Sequence, residues 1–113
     1  MTVKEMKGEP LEPRDLLPAW ELLAMLAEEC CELGQAALKL RRVLDDVNPT
    51  RISYTEAITN LNEEWADVLL TIRQLSVIDQ EKVLMFMHKK NERWVNHLIE
   101  HRKDEECGEK NDL

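Results

Sequence analysis

Apolar positions recur with a helical rhythm through most of this chain. Leu16, Trp20, Leu23, Leu26, Ala27, Cys30, Leu33, Ala37, Leu40 and Leu44 follow one another at short, helix-like intervals, which predicts one long amphipathic helix from about Asp15 to about Leu44. Asp15 is placed to cap it, and Pro18 falls in the first turn, where a missing N–H is tolerated. A helix of that length spans roughly 45 Å. Asn48-Pro49 ends it, because the residue before proline is steered away from helical geometry. A second helix begins after Ser53, which has capping-box spacing with Glu56. Its stripe is Ile58, Leu61, Trp65, Val68, Leu69, Ile72 and Leu75, and it ends near Ile78. Asp79 then caps a third helix whose apolar side includes Val83, Phe86, Met87, Trp94 and Leu98.

The pattern predicts an all-α fold. Residues 1–14 read as a flexible arm with Pro10 and Pro13, residues 15–103 as a helical domain, and residues 104–113 as a frayed polar tail. The short link between the second and third helices makes them antiparallel neighbours. Three long amphipathic helices in 113 residues do not readily close a core alone. An antiparallel bundle is therefore expected, completed by dimerisation into a four-helix-bundle-like core.

Charge narrows the range of partners. The net charge is -8 and the sequence pI near 4.9, which repels a nucleic-acid backbone, and no basic groove is concentrated anywhere. An acidic protein binds a phosphate-bearing small molecule only with a device to offset that repulsion, and a bound cation is the usual one. No apolar run is long enough to span a membrane. The amino terminus lacks a signal-peptide core. Cys30, Cys31 and Cys107 make an odd set, with two adjacent on a helix, so no disulfide framework is expected. The expected compartment is the cytoplasm, with Cys30 and Cys31 as small core hydrophobes.

The carboxylates carry the chemistry. Glu28, Glu29 and Glu32 crowd two turns of the first helix, although like charges at i,i+4 cost a helix roughly 0.2–0.5 kcal/mol per pair. Glu29 shares a face with Leu22, Met25, Leu26, Leu33 and Ala36, so it lies on or beside the apolar stripe; Glu28 leans toward Glu21 and Gln35. On the second helix Glu64 and Asp67 repeat the i,i+3 spacing of Glu29 and Glu32, beside Glu63. Two such helices packed face to face gather four carboxylates, which cannot all stay ionised without cations. Lys39, Arg41, Arg42, Arg51 and Arg73 are expected to lie well away from the acidic turns and are poor candidates for the counter-charge. Two readings stay open here: a solvated acidic face, or a divalent-metal site. All-oxygen ligation suits Mg²⁺ or Mn²⁺. A di-iron bundle would need Glu-x-x-His, and none of His88, His97 and His101 has a Glu three residues before it.

At these residues the chain resembles the MazG-like branch of the all-α nucleoside triphosphate pyrophosphohydrolases. The family pattern of Glu-Glu-x-x-Glu on one helix and Glu-x-x-Asp on the next is matched by Glu28-Glu29-Cys30-Cys31-Glu32 and Glu64-Trp65-Ala66-Asp67. A basic cluster on a following helix has its counterpart in His88-Lys89-Lys90-Asn91-Glu92-Arg93. The resemblance implies hydrolysis of an NTP or dNTP between its α and β phosphates, Mg²⁺ as cofactor, and a homodimer or homotetramer. It assigns Glu29, Glu32, Glu64 and Asp67 to the metal and Glu28, with Glu29, to catalysis. Glu28 would orient or deprotonate the attacking water, with a structural role as the alternative. Lys89, Lys90 and Arg93 would meet phosphates and Asn91 sugar or phosphate; a solvated basic turn is the alternative. Trp20, about two and a half turns before Glu29, is the candidate for a base pocket, while Trp65 belongs to the core. Against this enzyme stands a non-catalytic helical oligomer that keeps the fold as an interaction module. The complete set of motif carboxylates favours the enzyme.

Overall fold

A computed structural model describes residues 2–45 and 47–111. It is mostly helical, with no strand among those residues. The elements are α1 (Val3–Met6), α2 (Pro13–Leu16), α3 (Ala19–Asp45), α4 (Tyr54–Arg73) and α5 (Gln80–Asn111). The chain divides into two compact units, residues 1–77 and 78–113.

The long first helix is shorter than its pattern predicts. Pro18 holds Leu17 extended, at φ −120° and ψ 143°, because a proline ring disfavours helical backbone just before it. The segment therefore breaks into α2 and α3. Pro18 stands at the entry of α3, where its carbonyl accepts from Glu21 and Leu22 N–H at 3.1 and 3.2 Å. Asp15 is not the cap of the long helix. It sits inside α2 and accepts from the Glu12 N–H at 2.8 Å.

The amino-terminal segment, expected to be loose, is tied down. Thr2 and Glu5 form a reciprocal capping box on α1, at 2.8 and 3.1 Å. Gly8 follows with φ 71°, a left-handed conformation that glycine adopts without a Cβ penalty. Lys4 bridges to Asp15 at 2.9 Å and to Glu12 at 3.6 Å, and Arg14 pairs with Glu12. The segment is also held to the end of α4. The Arg14 N–H donates to Gln74 Oε1 at 3.2 Å, and Arg73 lies 3.5 Å from Glu12.

α3 and α4 form an antiparallel pair. Leu22 and Leu23 near the start of α3 meet Gln74 and Leu75 past the end of α4, while Ala36 and Lys39 meet Asn60 near its start. Ser53 caps α4, accepting from the Glu56 N–H at 3.2 Å. α4 stops at Arg73, five residues short of the predicted end, as Gln74 and Leu75 turn back with N–H bonds to Thr71 and Ile72.

The buried apolar side chains among the described residues are Leu22, Ala36, Ala57, Val68 and Leu75. On α3 the covered stripe runs through Leu22, Met25, Leu26, Glu29, Leu33, Ala36, Leu40 and Val43. It is rotated from the predicted one, since α4 packs along α3 and buries the stripe that faces it. Trp20, Leu23, Cys30 and Leu44 fall outside it and are exposed, as is Cys31, so neither cysteine is a core residue. Trp65 was expected in the core but is 48% exposed. It follows Glu64, and on a 3.6-residue helix adjacent residues point about 100° apart.

In the second unit, Asp79 accepts from the Lys82 N–H at 3.2 Å and starts α5 as predicted. The helix continues to Asn111, through the stretch expected to fray. Every residue of α5 whose burial is described is exposed, including Phe86, Met87, Trp94, Leu98 and Ile99.

Candidate functional site

Antiparallel packing brings the two acidic turns to the same level of the α3–α4 pair. One carboxylate oxygen each from Glu29, Glu32, Glu64 and Asp67 lies within 4.8 Å of all the others. The i,i+3 spacing within each helix sets two oxygens side by side, and the helix packing sets the two pairs face to face. Glu29 and Glu64 are half-buried on the covered faces; Glu32 and Asp67 are exposed at the rim. Thr71, one turn beyond Asp67, donates its hydroxyl to the Asp67 carbonyl at 2.8 Å, so that hydroxyl is engaged away from the carboxylates.

The electrostatics are those of an unneutralised cluster. Oε2 of Glu29 and Oε2 of Glu64 are buried and have no hydrogen-bond partner among the described residues. Burial pushes the Glu29 carboxyl above the usual glutamate range, and the charges of Glu32 and Asp67 push it further. Burial also raises Glu64, reinforced by Glu32. Both effects disfavour the ionised form in the metal-free protein.

The donor set suits a hard divalent cation. All four groups offer carboxylate oxygens, without sulfur or nitrogen. Oxygens sharing one Mg²⁺ at about 2.1 Å sit about 3–4 Å apart, so the observed spread needs only a small closure. A cation at this point would offset the mutual repulsion of the four carboxylates.

The remaining predicted residues lie elsewhere. Glu28 is exposed and outside the four-carboxylate group, as is Glu63. Trp20 is 72% exposed and does not line the cavity beside the carboxylates. On α5, Lys89 and Arg93 share a face one turn apart and line a shallow hollow of about 400 Å³ with Phe86 and Glu92. Lys90 and Asn91 are exposed on the same helix and do not line that hollow.

One neighbourhood escaped the sequence reading. A cavity of about 380 Å³ opens beside the carboxylates, lined by Glu32, Gln35, Ala36, Lys39, Asn60 and Glu64. Lys39 is therefore not remote from the acidic turns. It follows Glu32 by seven residues, two turns along one face, and that spacing was the available signal. Asn60 precedes Glu64 by one turn in the same way. A second cavity, of about 320 Å³, lies toward the other end of the pair and includes Leu22, Leu23, Gln74, Leu75 and Val77.

No helix among the described residues is long and apolar enough to cross a membrane. Comparison with protein-family models, curated proteins and solved structures finds no match.

Proposed function

We propose that the chain is a Mg²⁺-dependent nucleotide pyrophosphohydrolase that hydrolyses an NTP or dNTP to the monophosphate and pyrophosphate. The observation that carries this reading is the convergence of Glu29, Glu32, Glu64 and Asp67 with two orphaned buried oxygens. The motif resemblance supplies the reaction class. Glu29, Glu32, Glu64 and Asp67 would hold Mg²⁺, with Mn²⁺ as a substitute. When bound, the metal neutralises triphosphate charge, lowers the pKa of coordinated water and stabilises charge on the leaving oxygen.

The chain's own residues supply positioning. Phosphoryl chemistry needs orientation and electrostatics more than covalent partners, so few further side chains are required. Water adds its oxygen to the α phosphorus and gives up a proton, the bond from the α phosphorus to the bridging oxygen breaks, and pyrophosphate departs with that oxygen and the electron pair. Glu28, exposed one residue from the cluster, is assigned to orient or deprotonate that water. Lys89, Lys90, Asn91 and Arg93 are assigned to substrate, and Trp20 to the base.

A second copy is part of the proposal. Trp20, Leu23, Leu38, Trp65, Leu69 and Leu70 are exposed on α3 and α4, and an apolar side of α5 is exposed throughout. Exposed large apolar side chains on each unit are read as interaction faces. An antiparallel bundle closed by dimerisation would cover them, and the active form is read as a homodimer or homotetramer in the cytoplasm.

The test is pyrophosphate release from a panel of canonical and modified NTPs and dNTPs, with Mg²⁺ and with EDTA. Metal-dependent release with a monophosphate product is expected. Orthophosphate with a diphosphate product would make the protein a phosphatase. No turnover would favour the non-catalytic helical oligomer.

A further inference from the structure

We propose that the cavity lined by Gln35, Lys39 and Asn60 seats the distal phosphates of the substrate, with Lys39 as their counter-charge; this rests on the pyrophosphohydrolase reading. The cavity is polar along most of its wall. Its lining is Glu32, Gln35, Ala36, Lys39, Asn60 and Glu64, with Ala36 as the one apolar residue and no aromatic side chain. Nothing there stacks on a base, so the site does not suit a nucleobase. A single cation flanked by two carboxamides suits an anion with several oxygens.

Position selects a phosphate chain over a single phosphate. Glu32 and Glu64 belong both to the four-carboxylate group and to the cavity wall. Lys39 lies at the far end, seven residues on from Glu32, which is about 10.5 Å of helix rise. The flexible lysine stem shortens that gap, but one phosphate group does not bridge it. A chain with its α phosphate at the carboxylates and its β and γ phosphates running toward Lys39 does. Lys39 is free to take this role: among the described residues it makes no ion pair. Gln35 and Asn60, one turn from Glu32 and Glu64 respectively, stand between the two ends and offer amide donors to phosphate oxygens.

The arrangement gives a specificity. A triphosphate reaches Lys39 with its last phosphate, whereas a diphosphate falls short. The departing pyrophosphate is held by the same lysine. Lys39 is thus a substrate-positioning residue of α3, distinct from the basic residues of α5.

Calorimetric titration of inorganic pyrophosphate in the presence of Mg²⁺ tests this without turnover. Lys39→Gln should weaken binding about tenfold or more, the scale of one charge-assisted contact, and Lys39→Arg should keep most of it. Helical circular dichroism should not change, since Lys39 is exposed. In turnover, Lys39→Gln should raise KM for triphosphates with little loss of kcat and should narrow the preference for triphosphate over diphosphate. Pyrophosphate affinity equal in wild type and Lys39→Gln, or no binding by wild type, would overturn the subsite. Lys39-dependent binding with no nucleotide cleaved would leave the subsite standing and refute the hydrolase. Turnover with unaltered pyrophosphate affinity in Lys39→Gln would do the reverse.

Discussion

Residues 1–77 hold two groups of carboxylates that are satisfied in opposite ways. Glu12 and Asp15 gather Lys4, Arg14 and Arg73 around them. The Glu12 N–H and the Lys4 ammonium hold the Asp15 carboxyl below its usual range, and Asp15 in turn raises Lys4. Glu29, Glu32, Glu64 and Asp67 bring their carboxylate oxygens within 4.8 Å of one another with no cation of the chain bonded to them among the described residues. There the pKa directions reverse, with Glu29 and Glu64 raised. The first group completes itself and fastens the amino-terminal segment to the end of α4. The second has no ion pair among the described residues, and the proposed Mg²⁺ is what would complete it. Acidic residues alone do not separate structure from function; the distinction lies in whether the fold supplies their counter-charge.

The largest predicted effect comes from removing a member of the second group. Glu32→Gln or Asp67→Asn should reduce turnover by more than about a hundredfold, beyond what loss of a residue merely supporting a ligand costs. Helical circular dichroism should persist, because both residues are exposed. Asp15→Asn should leave kcat within a factor of two and lower the melting temperature instead. Steady-state kinetics and thermal melts on the three variants check this, and equal turnover in all of them would erase the contrast.

Ligand linkage comes next. If Mg²⁺ binds the native cluster, a concentration 100 times its Kd adds about 2.7 kcal/mol of stability. A thermal melt with and without Mg²⁺ should show the rise, and Glu64→Gln should remove most of it. Equal shifts in wild type and Glu64→Gln would place the Mg²⁺ effect elsewhere. A smaller effect follows in the metal-free protein. Glu64→Gln should raise its melting temperature, since it removes a half-buried charge facing Glu32, whereas Asp15→Asn should lower it. Two changes from carboxylate to amide would thus act with opposite sign.

The sequence carried the helices and the spacing of the acidic pairs, because both are local periodicities. Ser53 and Asp79 start their helices as their side-chain chemistry predicts. What it did not carry was which face of each helix would be covered. Glu29 was legible on the buried side through Leu22, Met25, Leu26, Leu33 and Ala36, yet the larger stripe through Trp20, Cys30 and Leu44 drew the core to the wrong side. Apolar surface on two sides of a helix does not say which neighbour arrives. Leu17 before Pro18 breaks the helix although the apolar period runs on across it. The clamp of Glu12 and Asp15 with Lys4 and Arg73 joins residues far apart in the chain, and no spacing rule reaches that distance. Lys39 was within reach of the same i,i+7 rule that organised the stripes, but sequence distance from Glu64 concealed it until the helices were paired.

The finest difference between the two groups is their response to acid. Asp15 has a depressed folded-state pKa, so its stabilisation is present above the ordinary aspartate value, about 3.9, and is lost as pH falls through the folded value. Glu29 and Glu64 have raised values, so their ionisation opposes folding. As pH falls through those raised values toward the ordinary glutamate value, about 4.3, that opposition is relieved and the native state gains. Metal-free protein should therefore become more stable on mild acidification and then lose stability below about pH 4. Saturating Mg²⁺ reverses the first limb, because protons then compete with the metal for the same oxygens. Melting temperatures measured from pH 7 to pH 3, with Mg²⁺ and with EDTA, give the two profiles. A mildly acidic maximum in EDTA that disappears in Mg²⁺ would tie the raised carboxyls to the cation. Superimposable profiles would mean that the second group, like the first, needs nothing from outside the chain.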